Sequence, residues 1–251
     1  MTFTVVIPAR YQSSRLPGKM LLDIGGKPMV LRVVERARQS KAAAVYVATD
    51  DERIHSACSG AGVPVLMTNP AHASGTDRIA EVAQQLGLPD DALVVNVQGD
   101  EPLIPPAVID QVAANLAARA DTGICTLFAP VTDEAELHNS NAVKLVTDVH
   151  GRVLYFSRAP IPWPRDGATA ASLAQVKRHI GLYAYRAGVL RQFVKWPVSP
   201  LEDIEKLEQL RAMHHGIALH AECCCEFIPP GVDTAADLEH VRKLLLAGAV
   251  R

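Results

Sequence analysis

The chain has 251 residues, of which 25 are Lys or Arg and 27 are Asp or Glu, giving a formal net charge of −2 at pH 7. This near balance provides no basic surface for a nucleic-acid backbone and argues against a nucleic-acid partner. No apolar run reaches the roughly 18 residues of a membrane span, and the N-terminus lacks the features of a secretion signal. We therefore expect a cytoplasmic protein without membrane insertion.

Apolar runs typical of strands alternate with amphipathic stretches typical of helices in the first half of the chain. The predicted strands are residues 3–7, 45–49, 63–66, 93–97 and 123–128. The predicted helices are residues 28–39, a segment after residue 51, 76–86 and 106–118. This alternation predicts a Rossmann-like α/β fold, in which a parallel sheet with right-handed crossovers is flanked by helices.

The alternation changes after residue 140. Residues 143–147 and 153–157 flank the turn-forming segment DVHG and predict a β-hairpin. A Pro-rich segment and a further strand over 178–185 follow, so we predict an antiparallel insertion over about residues 141–186. The remaining predicted helices are residues 187–195, 201–214 and 233–246. The length suits a single domain over residues 1–251.

The loop after the first strand is the first candidate site. Residues 7–19 read IPARYQSSRLPGK, in which Arg10, Arg15 and Lys19 can spread along the oxygens of a polyphosphate. Small residues let backbone N–H groups approach the same oxygens. These residues are Ser13, Ser14 and Gly18. Because parallel sheets bind ligands at the carboxyl ends of their strands, we favour phosphate binding over an ordinary solvated loop.

Two familiar phosphate-binding motifs do not describe this loop. A Walker loop requires Ser or Thr after its Gly-Lys pair, whereas Lys19 is followed by Met20. A dinucleotide fingerprint requires three glycines at fixed spacing, and only Gly18 precedes the Gly25-Gly26 turn. The loop is therefore predicted to bind phosphates in another way.

Acidic residues at the same predicted sheet edge indicate a metal site. Asp100 follows the strand of VVNVQGDEPLI, beside the basic loop. A carboxylate there would repel phosphates unless a cation such as Mg²⁺ lay between them. Asp100 is therefore the predicted metal ligand, since the next helix starts too far downstream for Asp100 to cap it. Asp233 is a second candidate, although by itself capping of the last helix, by Asp233 or Thr234, is the better interpretation.

Other polar motifs keep two interpretations. The SGTDR turn, residues 74–78, can hydrogen-bond a base or phosphate, or simply cap the third helix. Arg158 and Arg178 can receive a substrate carboxylate, and His179 and Glu202 can bond sugar hydroxyls, but for any one of them alone a structural role is the better interpretation. Asp51 is interpreted as a helix cap rather than a ligand contact.

The cysteines argue against disulfide and metal frameworks. There are five, an odd number, which is typical of a reduced protein. Cys223, Cys224 and Cys225 are adjacent, and three adjacent residues of a strand cannot point the same way. We interpret them as part of a half-buried strand.

The motifs together resemble one family. The segments IPARYQSSRLPGK, SGTDR, VNVQGDEP, AVKLV, YFSRAPIPW, RHIGLYAYR, SPLEDIEKLEQLR and GVDT follow the order and spacing of 3-deoxy-manno-octulosonate cytidylyltransferases, and they cover nearly the whole chain. The first and third segments are shared with the wider nucleotidyltransferase superfamily. YFSR, RHIG and SPLE are what point to the sugar 3-deoxy-manno-octulosonate (Kdo).

The resemblance implies a reaction and a set of site residues. The anomeric hydroxyl of Kdo would attack the α-phosphorus of CTP, giving pyrophosphate and CMP-Kdo. CMP-Kdo would then serve lipopolysaccharide synthesis. The implied catalytic residues are Arg15, Lys19 and Asp100, with Asp100 and Asp233 holding Mg²⁺. The implied nucleotide-binding residues are Pro8, Ala9, Arg10, Ser74, Gly75, Arg78 and Gln98. The implied sugar-binding residues are Arg158, His179, Tyr183 and Glu202.

The resemblance also implies a homodimer, formed through the inserted hairpin and the segment around Trp163. Two alternatives stay open at this point. One is a cytidylyltransferase for a related acidic sugar, such as a sialic acid or an amino analogue of Kdo. The other is a non-catalytic nucleotide sensor on the same fold.

Overall fold

A computed structural model describes residues 1–13 and 15–246 of the chain. Ser14, predicted to lie in the phosphate-binding loop, falls outside the described residues. The strands formed by the described residues are β1 (Phe3–Ala9), β2 (Ala44–Thr49), β3 (Val65–Met67), β4 (Leu93–Asn96), β5 (Ile124–Pro130), β6 (Lys144–Thr147), β7 (Val153–Ser157), β8 (Lys177–Arg186) and β9 (Leu219–Cys223).

The helices surround this sheet on both faces. They are α1 (Met29–Arg38), α2 (Glu52–Gly60), α3 (Gly75–Gln85), α4 (Pro106–Ala117), α5 (Glu134–His138), α6 (Ala170–Leu173), α7 (Ala187–Phe193), α8 (Pro200–Glu205), α9 (Gln209–His214) and α10 (Ala235–Leu246). A short 3₁₀ turn spans Lys19–Leu21. Within the described part of the chain, no helix has the length and apolar character needed to cross a bilayer.

The sheet has the strand order β3-β2-β1-β4-β8-β5-β9. Strands β1 to β4 pair in parallel, as the alternating pattern predicts. Strand β8 runs antiparallel between β4 and β5, so the sheet is mixed. The α/β architecture is confirmed, but residues 177–186 belong to the central sheet and not to a separate insertion.

The strands read as continuous apolar runs because both faces of the sheet are covered. Alternate residues of β1 illustrate this, since Val5 and Ile7 join one buried cluster and Val6 joins the other. A strand places successive side chains on opposite faces, so each cluster receives half of each strand. The amphipathic helix α1 covers the first face with Val30 and Val33.

The predicted hairpin is present as β6 and β7, which pair antiparallel from Lys144↔Ser157 to Thr147↔Val153. Its turn begins with Asp148, whose Oδ1 accepts hydrogen bonds from the N–H groups of His150 and Arg152 at 2.8 and 2.9 Å. A side chain that bonds its own backbone in this way favours a tight turn.

Two sequence predictions of local structure are wrong. The single helix expected over 201–214 is two helices, because Lys206 adopts a left-handed conformation, φ 52°, and ends α8. The cysteine run is not a continuous strand, because β9 ends at Cys223. Gln111 holds the residues that follow, donating to the Cys223 carbonyl at 2.7 Å and accepting from the Cys225 N–H at 2.8 Å.

An ion pair joins α8 to α9 across the break. The side chains of Glu202 and Arg211 are only 9% and 12% exposed, and Arg211 Nε donates to Glu202 Oε2 at 2.8 Å. Glu202 also accepts from the Ser199 N–H at 3.1 Å and completes a capping box at the start of α8. Glu202 is therefore a scaffold residue.

We expect Glu202→Ala to lower the free energy of unfolding by about 3 kcal/mol, because it leaves the Arg211 guanidinium buried without its partner. Chemical denaturation measures this change. Asp203→Ala is the matched control, since Asp203 pairs with Lys206 at an exposed position and its loss should cost about 0.5 kcal/mol or less. Equal losses in the two variants would show that burial of the pair is not the cause.

Candidate active site

The basic loop after β1 turns Lys19 inward. Gly18 has φ 67°, a left-handed conformation that suits glycine, and begins the 3₁₀ turn that carries Lys19. The Lys19 ammonium donates to Asp100 Oδ2 at 2.7 Å, to Asp233 Oδ1 at 3.2 Å and to the Val232 carbonyl at 3.3 Å. The two predicted metal ligands therefore face one cationic group.

The loops after β1 and β4 meet because their backbones approach closely. A Cβ atom at Gly99 would lie 2.7 Å from the Pro8 carbonyl oxygen and 2.9 Å from Met20 Sδ, so no larger residue fits without a shift. The segment before α10 joins them through Val232, whose N–H donates to the Asp100 carbonyl at 2.8 Å. Three distant segments of the sequence thus converge at Asp100.

The structure assigns the cap of α10 to Thr234 and not to Asp233. Thr234 is the cap of α10, since its Oγ1 accepts from the Asp237 N–H at 3.2 Å while Asp237 Oδ2 accepts from the Thr234 N–H at 2.8 Å. The carboxylate of Asp233 instead faces Lys19 and lies 3.0 Å from Arg15 Nη2. Asp100 caps no helix either, because α4 begins after Pro105.

A cleft of about 330 Å³ opens above this cluster. Its lining residues are Pro8, Arg10, Gln12, Ser13, Arg15, Lys19, Met20, Gly75, Gln98, Gly99, Asp100 and Asp233. Most of the predicted catalytic and nucleotide-binding residues are therefore brought together. A second cavity of about 680 Å³ shares Arg10, Gln12 and Ser13 with the cleft and extends towards Asp50 and Asp51.

Three predicted nucleotide-binding residues do not line the cleft with their side chains. Ala9 is buried at the end of β1. Ser74 caps α3 by accepting from the Asp77 N–H at 3.1 Å. Arg78 is fully buried, and its guanidinium donates to Thr68 Oγ1 and, at 2.8 Å, to Asp50 Oδ2. Arg78 thus ties α3 to the end of β2, and a direct contact of Arg78 with the nucleotide stays a prediction.

Two predicted sugar-binding residues are bonded to other parts of the chain. Arg158 donates from Nε to the Glu205 carbonyl at 2.7 Å and from Nη1 to the Ser140 carbonyl at 2.9 Å. Its planar fork is thus satisfied by backbone carbonyls and not by an open cavity. Glu202 is held by Arg211 as described above. Other segments of the chain bond the polar atoms of both residues, and a contact of either one with the sugar stays a prediction.

The other two predicted sugar-binding residues lie on β8. His179 stacks edge-on against Phe156 with ring centroids 5.1 Å apart, and its ring lies 5.2 Å from that of Tyr183. Burial lowers the pKa of His179 to about 3, so the imidazole is neutral at ordinary pH. Burial raises the pKa of Tyr183, so its hydroxyl stays protonated.

A cavity of about 350 Å³ adjoins Asp100 and is lined in part by His179. Its lining residues are Glu101, Glu136, Arg178, His179, Ile180, Gly181, Phe227, Ile228, Pro229, Pro230 and Gly231. Gly231 links this cavity to the cleft, since a Cβ there would lie 3.1 Å from the Asp100 carbonyl oxygen. A polar ligand in this cavity would lie next to the Lys19 cluster.

Sequence reasoning missed two acidic residues of this cavity. Burial, and secondly the neighbouring Asp100, raise the pKa of Glu101 to about 8. Glu136 lies on α5, a helix that the sequence pattern did not indicate, and its Oε1 is 2.7 Å from Arg178 Nε. The Arg178 N–H does not point at that oxygen, so the contact is a charge pair rather than a hydrogen bond. The adjacency of Glu101 to Asp100 was the available signal.

The comparisons with known proteins agree over the whole chain. The family described as cytidylyltransferase matches residues 4–220. The chain is 59% identical over 251 residues to a 3-deoxy-manno-octulosonate cytidylyltransferase of Pseudomonas fluorescens, covering 98% of each protein. It is 58% identical over 249 residues to the protein of the same name in Tolumonas auensis, covering 98% of this chain and 97% of that protein.

Solved structures give the same result. A CMP:2-keto-3-deoxy-manno-octonic acid synthetase complexed with CTP is 42% identical, with a TM-score of 0.90 over 98% of this chain and 99% of that one. A cytidylyltransferase from Leptospira borgpetersenii is 16% identical, with a TM-score of 0.62 over 98% of this chain and 87% of that one, and shows the shared fold alone. This chain belongs to the 3-deoxy-manno-octulosonate cytidylyltransferase family.

Proposed function

We propose that the protein transfers CMP from CTP to the anomeric hydroxyl of Kdo. The hydroxyl oxygen forms a bond to the α-phosphorus as the bond from that phosphorus to the bridging oxygen breaks. Pyrophosphate leaves with the electron pair, and the hydroxyl proton passes to solvent. The product, CMP-Kdo, is the activated sugar for lipopolysaccharide synthesis. No covalent bond to the protein is required.

The cleft around Lys19 is the observation that carries this proposal. Lys19, Arg10 and Arg15 line the same cleft as Asp100 and Asp233, so cations for a triphosphate adjoin carboxylates for a metal. Such a site acts by positioning the reactants and by stabilising the charge on the departing pyrophosphate. Pro8, Gly75 and Gln98 complete the lining on the nucleotide side.

We further propose Mg²⁺ as the cofactor, held by Asp100 and Asp233. The donor set fits a cation, because one oxygen of each carboxylate lies within 3.2 Å of the same ammonium nitrogen. Mg²⁺ is commonly held by one or two carboxylates together with phosphate oxygens and waters. When bound, the ion would neutralise phosphate charge. Lys19, which bonds both carboxylates in the structure, would then pair with the negative oxygens of the phosphates.

We place the sugar in the cavity beside Asp100. His179 supplies a neutral imidazole there, and Arg178 supplies a guanidinium that lies only 31% exposed and is paired with Glu136. A planar guanidinium can bind a carboxylate through two hydrogen bonds, as an acidic sugar requires. This assignment replaces Arg158 with Arg178 as the partner of the sugar carboxylate.

A pyrophosphate-release assay tests the function. Release should require CTP together with Kdo, and substitution of UTP or of a sialic acid should reduce it strongly. Equal activity with a sialic acid or an amino analogue of Kdo would favour the alternative of a related acidic sugar. CTP binding without pyrophosphate release from any sugar would favour the nucleotide sensor, which has little use for a cluster of Lys19, Asp100 and Asp233.

We also propose a homodimer in the cytoplasm. The hairpin and the segment after it carry exposed apolar side chains, with Leu154 57% and Trp163 66% exposed. Contact with a second copy of the chain would remove these apolar side chains from water. A molar mass of one chain by light scattering, at concentrations well above those of the assay, would contradict the dimer.

Asp100→Asn should leave the fold intact and lower kcat by about 100-fold or more, because the amide keeps the shape and loses the charge needed among phosphates. Circular dichroism and the pyrophosphate assay measure these outcomes. The same variant should weaken Mn²⁺ binding in the presence of CTP. Asp166→Asn, at an exposed position, is the control. Near-normal turnover of Asp100→Asn would remove the proposed metal role.

Lys19→Ala should lower kcat, because it removes a preorganised donor to the leaving pyrophosphate. The loss of transition-state stabilisation should be on the order of 3 kcal/mol. The variant also removes the ammonium that lies between Asp100 and Asp233, so Mn²⁺ should bind more tightly than to the wild type when no nucleotide is present. If only the KM for CTP rose and kcat stayed level, Lys19 would be a ground-state contact instead.

Arg178→Lys should raise the KM for Kdo about tenfold or more and leave CTP affinity nearly unchanged, because an ammonium cannot form two parallel bonds to a carboxylate. Steady-state kinetics and calorimetric titration with CTP measure the two quantities. Arg158→Lys is the matched comparison and should leave the KM for Kdo unchanged. The reverse result would return Arg158 to the sugar site.

A further inference from the structure

The ring of Tyr11 connects the basic loop to a residue outside the cleft. The guanidinium carbon of Arg53, on α2, lies 3.2 Å from the centroid of the Tyr11 ring. The same ring packs against Gly18, where a Cβ would lie 3.1 Å from the ring carbon Cζ and the hydroxyl oxygen. Tyr11 thus contacts a cation of α2 and the glycine that precedes Lys19.

Gly18 transmits the ring position to Lys19. Its N–H donates to the Tyr11 carbonyl at 3.1 Å, and its own carbonyl accepts from the Leu21 N–H at 2.9 Å. These two hydrogen bonds fix the backbone on both sides of Gly18, and Lys19 is the residue that follows Gly18. A shift of the Tyr11 ring would therefore move the backbone from which the Lys19 side chain projects.

Arg53 is itself held in place by the start of α2. Its Nε and Nη2 donate to the carboxylate oxygens of Asp51 at 2.9 and 2.6 Å. Asp51 also caps the helix by accepting from the Arg53 N–H at 2.9 Å. The Arg53 side chain is 58% exposed, and Arg53 does not line the cleft or either adjoining cavity. Arg53 therefore has no direct contact with a ligand in the cleft.

We propose that Arg53 and Tyr11 are positioning residues for Lys19. Arg53, fixed by Asp51, holds the Tyr11 ring by a cation–π contact, and the ring together with the Tyr11 carbonyl holds the left-handed turn at Gly18. The turn then directs the Lys19 ammonium into the cleft. This inference rests on the role proposed for Lys19 in binding and releasing phosphates.

A double-mutant cycle between Arg53→Met and Lys19→Ala tests the inference. Methionine keeps much of the side-chain length and leaves the backbone bond to Asp51 in place, but it removes the guanidinium. We expect Arg53→Met to lower kcat/KM for CTP about two- to fivefold, the range of an exposed cation–π contact. In the Lys19→Ala background the same change should have no further effect. Losses that multiply in the double variant would overturn the proposal.

Variants of Tyr11 separate the ring from its hydroxyl. Tyr11→Phe keeps the ring and should retain near-normal kcat/KM, whereas Tyr11→Leu should lower it by more than Arg53→Met does. An equal loss in both Tyr11 variants would contradict a role for the ring. Arg38→Met is the control, because Arg38 is an exposed residue of α1 that donates to the Gly62 carbonyl far from this stack. Melting temperatures exclude loss of fold as the cause.

CTP affinity measured by calorimetry without sugar gives the cycle a second readout. Arg53→Met should weaken CTP binding in the wild-type background and leave it unchanged in the Lys19→Ala background. This readout decides the positioning role even if the wild-type chain released no pyrophosphate, a result that would contradict the proposed function instead. Full activity in the wild type together with an unaffected Arg53→Met variant would contradict the positioning role alone.

Discussion

The candidate active site depends on one buried ammonium group and the two carboxylates that face it. Lys19 is only 8% exposed, and a lysine at that depth needs charged partners, which Asp100 and Asp233 provide. The carboxylates need the ammonium equally, since two like charges that both lie within 3.2 Å of one nitrogen would repel each other without it. The attraction between this ammonium and the two carboxylates thus holds together three segments that are far apart in the sequence. The same charges suit a triphosphate and a metal ion.

Close packing of the backbone makes this convergence possible. Parallel β1 and β4 are neighbours, so the loops that follow them meet at one edge of the sheet. Gly99 lets those loops touch, and Gly231 lets the segment before α10 approach the Asp100 backbone. The antiparallel strand β8 then brings His179 and Arg178 to the neighbouring cavity. Fold and chemistry are therefore linked by backbone contacts at two glycines.

The charged residues of the predicted site have one of two roles, bonding within the scaffold or lining the cleft. Arg78 donates to Asp50 and Arg158 donates to the Glu205 carbonyl, while Glu202 is fixed by Arg211 and the start of α8. Arg10, Arg15 and Lys19 instead line the cleft, where a ligand can reach them. A buried charge must be paired, whereas a charge that lines a cavity can exchange its partner for a substrate.

The sequence alone determined most of the parallel half of the fold and the core of the site. Hydrophobic periodicity located the elements through β5, and a loop after a parallel strand must emerge at the ligand-binding edge, so Arg15, Lys19 and Asp100 were predictable. Only the tertiary structure decided that Asp233 faces Lys19 while Thr234 caps α10, that β8 enters the central sheet, and that Arg158 bonds Glu205 and Glu202 bonds Arg211. The reason is physical. The same local sequence pattern allows either Thr234 or Asp233 to cap α10. The partners of Arg158 and Arg78, namely Glu205 and Asp50, lie tens of residues away in the sequence, and local periodicity carries no information about such distant contacts.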